Sequence, residues 1–312
     1  MIHTLGIIWN PSEGIDLGFF MIRFYSLTWV AAFGLAWYIL KSIFNRENES
    51  LEKLDSLFIW SIAATMIGAR LGHVLFYQSE LFFEDPLSIL LPIQTVPEFK
   101  FTGFAGLASH GAAIGIVVAM IYVSRKVMMQ PLLWVLDRIV IPVASGAVII
   151  RLGNFFNSEI YGNPTADNFY AVKFIREEEF YRQNGSVFQI TKAETANEGY
   201  NMIQNDPKFI DTLNAIPYRH PAQMYEAISY VFVFAILFFL YWKTDARQKR
   251  GFLFGIFMIL LWSIRFVVET IKVSQGGIEE SLHIFSTGQW LSIPMVLVGI
   301  YYTFTAKKIS VI

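Results

Sequence analysis

Long apolar stretches separated by shorter polar connections dominate the sequence. Seven of these stretches are close to the ~20 residues that an α-helix needs to cross a bilayer. They cover roughly Phe19–Leu40, Leu57–Tyr77, Phe104–Val123, Leu132–Phe156, Ala222–Trp242, Phe252–Ile271 and Gln289–Thr305. The pattern therefore predicts an all-α polytopic membrane protein with about seven transmembrane helices.

The composition agrees with this prediction and excludes several kinds of chemistry. Of the 312 residues, 54% are hydrophobic and only 16% are charged, whereas a soluble domain carries nearer a quarter charged residues. The net charge of −1 gives no basis for nucleic-acid binding. The chain has no cysteine, and it lacks the glycine-rich phosphate loop and the His-Glu-x-x-His zinc helix. We therefore expect no metal and no other cofactor.

The distribution of lysine and arginine predicts how the chain crosses the membrane. Positive residues are concentrated in the connections after the first, third and fifth spans and at the C-terminus, in the segments 41–53, 125–126, 243–250 and 307–308. Because positive charge is retained on the cytoplasmic side, the N-terminus should lie outside and the C-terminus in the cytoplasm.

Two connections on the predicted outer side are long. Residues 161–217 are polar with recurring aromatic residues, and we interpret them as a small extracytoplasmic head domain. This divides the chain into spans one to four (1–160), the head (161–217) and spans five to seven (218–312). Within 1–160, the proline-containing segment 78–102 should lie along the membrane interface. Within the head, the alternating run Gly185–Thr191 predicts a strand.

Polar residues at membrane depth are costly and are therefore candidates for function. Arg151 and Asn154 follow the apolar run of the fourth span and stand three residues apart, which places them on one helix face. A guanidinium beside an amide suits a phosphate. The alternative is an arginine at a helix end that extends to the interface, followed by a turn.

Other polar residues should approach the same outer side of the membrane. They come from several spans and comprise Arg23, His110, His220 and Glu226. In the sixth span, Arg265 should lie deeper in the membrane and Glu269 nearer the outer end. Each also has a structural interpretation. Arg70 with His73, Asp137 with Arg138, and Arg265 with Glu269 could simply be contacts that pack or anchor helices.

Five segments resemble one known family, in the family's order. Residues Arg151–Thr165 resemble the signature segment of the bacterial phosphatidylglycerol–prolipoprotein diacylglyceryl transferases, and Arg219–Glu226 resemble that family as well. Weaker similarities are Gly68–Tyr77, Ser109–Gly111 and Arg265–Glu269. The chain differs where the family often has His-Gly-Gly, since Ala112 follows His110 and Gly111 here.

The resemblance implies a seven-span inner-membrane enzyme with a periplasmic head and no nucleic-acid partner. Such enzymes transfer the diacylglyceryl group of phosphatidylglycerol to the thiol of the lipobox cysteine in a prolipoprotein, and glycerol phosphate leaves. The implied catalytic residues are His110, Arg151 and Arg265. The implied phosphatidylglycerol-binding residues are Arg151, Asn154, Tyr25, Gly162, Glu159 and Glu269.

The resemblance leaves some roles open. A thiol needs a base near neutral pH, and His110, Glu159 and Glu226 are the candidates. Arg151 and Arg265 would stabilise the leaving phosphate, and Glu269 would orient Arg265. The alternative function is a transporter or lipid-binding protein without chemistry, in which the same charges would line a path through the membrane. Paired halves would favour transport, but the sequence shows no internal repeat.

Overall fold

The computed structural model describes residues 5–18, 21–91, 93–96, 98–101, 108–273 and 284–308. The helices of these residues are α1 (Phe24–Glu47), α2 (Leu51–Tyr77), α3 (Leu81–Glu84), α4 (Ser109–Val123), α5 (Leu132–Phe156), α6 (Glu178–Asn184), α7 (Val187–Thr191), α8 (Ala196–Asn205), α9 (Ile210–Ala215), α10 (Ala222–Lys243), α11 (Phe252–Glu269) and α12 (Thr287–Thr305).

Short strands and tight helical turns join these helices. The strands are β1 (Ile7–Trp9), β2 (Gly14–Asp16), β3 (Met21–Arg23), β4 (Ile93–Gln94), β5 (Lys100–Phe101), β6 (Val172–Phe174), β7 (Lys249–Arg250) and β8 (Lys307–Lys308). The 3₁₀ turns are Pro86–Ile89, Pro207–Phe209 and Asp245–Gln248, and Ser124–Met128 is a π-helical turn. Pairing is antiparallel for β2–β3, β4–β5 and β7–β8, and parallel for β1–β6.

The all-α polytopic membrane fold is confirmed. Six of the described helices, namely α1, α2, α4 with its π-helical extension, α5, α10 and α11, are long and apolar enough to cross a membrane. The predicted seventh span corresponds to α12, a 19-residue helix that falls outside these six. α12 packs closely on α11, because a Cβ atom on Gly255 would lie only 2.8 Å from the carbonyl oxygen of Gly299.

The helix boundaries differ from the predictions mainly where a helix continues past its apolar run. α1 extends to Glu47, seven residues beyond the predicted Leu40, because the residues that follow are compatible with a helix although they are polar. α2 begins at Leu51, six residues before the predicted start at Leu57. Ser50 caps this end of the helix, because its hydroxyl accepts a hydrogen bond from the Lys53 backbone amide. α5 has the predicted bounds.

The chain forms two compact units, one of which is Trp37–Ile139. In this unit α2 and α4 cross at glycines, and a Cβ atom on Gly72 would lie 2.6 Å from the Cα atom of Gly111. Arg70 donates hydrogen bonds to the carbonyl groups of Ser88 and Ile89, so it fastens the 3₁₀ turn to α2. These bonds favour the structural interpretation of Arg70.

Arg138 is a buried cation of the same unit. Arg138 lies 3.0 Å from the Glu47 carboxylate and stacks over the Trp134 ring at 4.1 Å. Both Asp137 and Arg138 are buried. The Arg138–Glu47 pair links α5 to the end of α1, which agrees with the anchoring role that the sequence allowed for Asp137 and Arg138.

Asp85 organises the segment between α2 and the β4–β5 hairpin. Its carboxylate accepts hydrogen bonds from the Ser88 hydroxyl, from the Thr95 amide (2.7 Å) and hydroxyl (2.6 Å), and from the Val96 amide (3.4 Å). Hydrogen bonds from Ser88 and Thr95 hold the pKa of Asp85 well below its ordinary value. The contribution of the carboxylate to stability is therefore present above pH ~4 and is lost as the pH falls further.

We expect the substitution Asp85→Ala to loosen this segment at neutral pH, since three partners lose their acceptor. Hydrogen exchange at the Thr95 and Val96 amides should become faster in the variant, while exchange in the interior of α2 should be unchanged. The wild-type protein should show the same local change only when the pH falls below ~4. Equal exchange at Thr95 in the variant and the wild type at neutral pH would contradict the assignment.

The second unit combines Met1–Ala36 with Val140–Ile312. In this unit α1 packs on α5, since a Cβ atom on Gly153 would lie 2.4 Å from the Thr28 hydroxyl. Residues 161–217 have a hydrophobic core of their own, formed by Ile175, Phe180, Val187, Ile203, Phe209, Leu213 and Ile216. β1 pairs in parallel with β6 and so joins the N-terminal segment to this core.

The predicted strand Gly185–Thr191 is wrong, because Val187–Thr191 form helix α7. Ser186 accepts a hydrogen bond from the Gln189 amide, and the Gln189 side chain accepts one from the Ser186 amide. This capping box starts a helix. Its local hydrogen bonds outweigh a weak alternation of apolar and polar residues.

A buried ion pair fixes the chain where residues 161–217 return to α10. The Arg219 guanidinium donates to both carboxylate oxygens of Glu177 at 2.6 and 2.8 Å, and to Glu179 at 2.8 Å. The backbone of Arg219 exchanges hydrogen bonds with Val172, at 2.8 and 3.0 Å. These bonds set the position of the residues that enter α10.

Candidate active site

The end of α5 brings the two most strongly predicted site residues into contact. Arg151 donates from Nη1 to the Asn154 side-chain oxygen at 3.1 Å, one helical turn further along. Asn154 is buried and donates from Nδ2 to the Glu159 carboxylate at 2.8 Å. Three residues of the signature segment are therefore joined in one hydrogen-bonded row.

The chain reverses sharply after α5 and returns Glu159 towards Asn154. Ser158 and Ile160 have left-handed backbone conformations, with φ of 55° and 59°. A left-handed conformation is unusual for a β-branched residue such as Ile160 and costs on the order of 1–3 kcal/mol. The turn is held by Gln223 of α10, whose amide donates to the Glu159 carbonyl at 2.6 Å.

Glu226 lies at the centre of a buried charged cluster. One carboxylate oxygen is 2.7 Å from Arg151 Nε, and the other accepts from Lys272 Nζ at 2.8 Å. The Glu226 side chain is fully buried. Lys272 also lies 3.6 Å from the Glu269 carboxylate. A buried carboxylate is costly unless it is paired, and here both oxygens face a cation.

Gly162 allows the three segments of the cluster to meet. Its amide donates to the His220 carbonyl at 2.8 Å, and the next amide, of Asn163, donates to the Ile271 carbonyl at 2.7 Å. A Cβ atom at position 162 would lie 2.7 Å from both His220 Cβ and the Ile271 oxygen. Only glycine fits this crossing, which brings the signature turn, the start of α10 and the residues after α11 together.

Arg265 belongs to the same group of charges. Its guanidinium lies 5.6 Å from the Trp262 ring centroid. Tyr230 interacts electrostatically with Arg265, Arg151 and Glu226 and forms a hydrogen bond with Arg151. The Nε–H of Arg265 is buried, and no residue in the described part of the chain accepts its hydrogen bond. Such a donor costs on the order of 1–3 kcal/mol unless a ligand satisfies it.

The remaining predicted site residues are Tyr25 and His110. Tyr25 is partly buried on α1, one turn before the Thr28 contact with Gly153, and packs edge-on against Trp29. Within the described residues no hydrogen bond joins its side chain to Arg151. His110 lies in α4, in the other compact unit, and its side chain is outside the described residues. Its role as a base stays a prediction.

Sequence reasoning missed the place of Lys272 and Tyr230 and misjudged the partner of Glu269. Within the described residues, Glu269 pairs with Lys272 rather than with Arg265, the residue one turn earlier. One signal for Lys272 was available: it is a lysine directly after an apolar helix, on the side predicted to carry few positive charges. Tyr230 follows Glu226 by one helical turn.

Comparison with known proteins assigns the chain to a family. The family described as prolipoprotein diacylglyceryl transferase matches residues 13–305. The chain belongs to the prolipoprotein diacylglyceryl transferase family.

Several relatives in this transferase family match over most of their lengths. The Chloroherpeton thalassium protein named phosphatidylglycerol–prolipoprotein diacylglyceryl transferase is 35% identical to this chain. The match covers 97% of this chain and 95% of the relative. The Bacteroides fragilis relative is 34% identical and covers 98% of both chains. The Porphyromonas gingivalis relative is 37% identical over 87% of this chain and 83% of its own. The resemblance inferred from the sequence segments is thereby confirmed.

Proposed function

We propose that this chain transfers the diacylglyceryl group of phosphatidylglycerol to the thiol of the lipobox cysteine in prolipoproteins. The thiolate sulfur attacks the glyceryl carbon that bears the phosphate. A carbon–sulfur bond forms, the carbon–oxygen bond to the phosphate breaks, and glycerol phosphate leaves with the electron pair. The thiol proton passes to a base. The alternative of transport or lipid binding without chemistry is not favoured by the family to which the chain belongs.

The observation that carries this proposal is the buried Nε–H of Arg265, which has no acceptor among the described residues. Arg265, Arg151 and Glu226 all interact electrostatically with Tyr230, and Glu226 also pairs with Lys272. A phosphate ester develops negative charge as it leaves, and preorganised cations lower the barrier to that step. Arg151 is held at Nε by Glu226, at Nη1 by Asn154 and by its hydrogen bond with Tyr230, so its guanidinium is fixed in place before a ligand binds. Arg151 and Arg265 would together receive the leaving phosphate.

The neighbouring groups would position these cations. Glu226 has both oxygens engaged by cations, so it is better suited to hold Arg151 and Lys272 than to accept the thiol proton. Glu159 accepts a hydrogen bond from the Asn154 side chain. This bond would keep the Asn154 side-chain amide oriented towards the lipid head group. Among the three candidate bases, His110 is the one that we propose accepts the proton, since imidazole titrates near neutral pH.

The charge distribution along the chain supports a proposal for its location. We place this multi-pass protein in the bacterial inner membrane, with the N-terminus outside and the C-terminus in the cytoplasm. Residues 161–217, with their separate hydrophobic core, would form the extracytoplasmic head that meets the lipobox peptide. Phosphatidylglycerol would enter from the surrounding bilayer, with Tyr25, Gly162 and Glu269 near its head group.

A mass measurement tests the reaction directly. The purified full-length protein is mixed with phosphatidylglycerol and a synthetic peptide that contains a lipobox cysteine. We expect the peptide to gain the mass of one diacylglyceryl group, and we expect no gain when serine replaces the cysteine. An unmodified cysteine peptide, with a folded protein that retains bound lipid, would contradict the proposal and favour binding without chemistry.

A further inference from the structure

Four basic residues face one another across a short ladder formed by β7 and β8. The register pairs Lys249 with Lys308 and Arg250 with Lys307. We call these four residues the basic ladder. Each cross-strand pair therefore places two cations opposite each other, and all four side chains are exposed.

Such pairing is unfavourable unless something compensates it. Directly opposed side chains in an antiparallel ladder lie about 5 Å apart at Cβ, and like charges there destabilise the pair. Lys308 lies 3.7 Å from Asp245, and Lys249 lies 5.3 Å from the Phe252 ring centroid. Arg250 and Lys307 have no ion-pair partner within the described residues. A ladder of two residues per strand has few backbone hydrogen bonds with which to offset this repulsion.

The position of the basic ladder indicates what could compensate it. β7 lies between the end of α10 at Lys243 and the start of α11 at Phe252, and β8 follows the end of α12 at Thr305. The ladder therefore lies where these apolar helices end. Glu226 precedes Lys243 by 17 residues on α10, which is about 25 Å along the helix axis. The ladder is thus at the opposite end of α10 from the candidate active site.

We propose that the basic ladder binds the phosphate groups of anionic phospholipids in the adjacent leaflet. Lys243 and Arg247 bring the number of cations in the described residues of these two connections to six, against one carboxylate side chain, that of Asp245. Lys and Arg side chains near an anionic membrane surface are attracted to its phosphate groups. A phosphate between the strands replaces repulsion across each pair with attraction to both residues. The lipid thereby ties the end of α12 to the connection between α10 and α11.

The test uses the full-length protein in vesicles of phosphatidylcholine with increasing amounts of phosphatidylserine, which is anionic but is not the proposed donor lipid. The melting temperature of the wild type should rise with the phosphatidylserine fraction. The Arg250→Gln/Lys307→Gln variant should lose most of this rise. In pure phosphatidylcholine it should melt at or above the wild-type temperature, because the repulsion has been removed.

Matched variants separate the basic ladder from general surface charge. Arg125→Gln/Lys126→Gln removes the same number of exposed cations from a helical turn without an opposing strand, and it should retain most of the rise. Arg250→Lys/Lys307→Arg keeps the charges and should behave as the wild type. Three results would overturn the proposal: no rise in the wild type, an undiminished rise in the glutamine ladder variant, or an equal rise produced by inorganic phosphate in pure phosphatidylcholine.

Discussion

Replacement of Arg151 by alanine is expected to lower the rate of diacylglyceryl transfer about 10²–10³-fold, the usual cost of removing one preorganised donor to a developing anion. Arg151 is preorganised because Glu226 holds its Nε and Asn154 accepts from its Nη1. Arg151→Lys keeps the charge but cannot form both contacts, since its ammonium is a single point charge. We therefore expect Arg151→Lys to be impaired as well.

The measurement is the mass gain of the lipobox peptide at saturating lipid and peptide, with the melting temperature recorded for each variant. Arg182→Ala is a suitable control, because Arg182 is an exposed arginine whose ion pair, with Glu178, lies on the surface of residues 161–217. It should transfer at the wild-type rate. Near-normal transfer by a folded Arg151→Ala protein would show that Arg151 does not bind the leaving phosphate.

The fold was predictable where one physical requirement dominates the sequence. A helix that crosses a bilayer needs about 20 apolar residues, and this requirement located α5 to the residue. It could not locate the end of α1, since a helix can continue into water when its polar residues permit. It also gave no guidance on residues 161–217, where local capping by Ser186 and Gln189 determined α7.

The site was predictable only within single helices. Spacing placed Arg151 beside Asn154, and the contact follows from helix geometry alone. Lys272 is 46 residues from Glu226, and they meet because the backbone at Gly162 bonds both to His220 and to the residues that follow α11. Spacing likewise allowed Glu269 to pair with Arg265 but could not show that Lys272, beyond the helix end, lies nearer. Tertiary crossings of this kind leave no periodic signal in a single sequence.

The substitution Glu226→Gln is expected to lower the free energy of unfolding by about 3–5 kcal/mol, the typical cost of removing one partner from a buried ion pair. Glutamine has nearly the same shape but cannot balance two cations. Arg151 and Lys272 would be left close together in a buried site. Transfer should also fall in the folded fraction, because Arg151 loses the contact that fixes its Nε.

A second substitution tests whether unbalanced charge causes these effects. Glu226→Gln/Lys272→Gln removes one of the two unpaired cations, so it should recover part of the lost stability. Glu47→Gln breaks another buried pair, with Arg138, and should lower the melting temperature without changing the transfer rate per folded molecule. If Glu47→Gln and Glu226→Gln reduced transfer equally at equal stability, the carboxylate of Glu226 would have no special part in positioning Arg151. If only Glu226→Gln reduced transfer, the charge balance at Glu226 would determine where the guanidinium of Arg151 meets the phosphate.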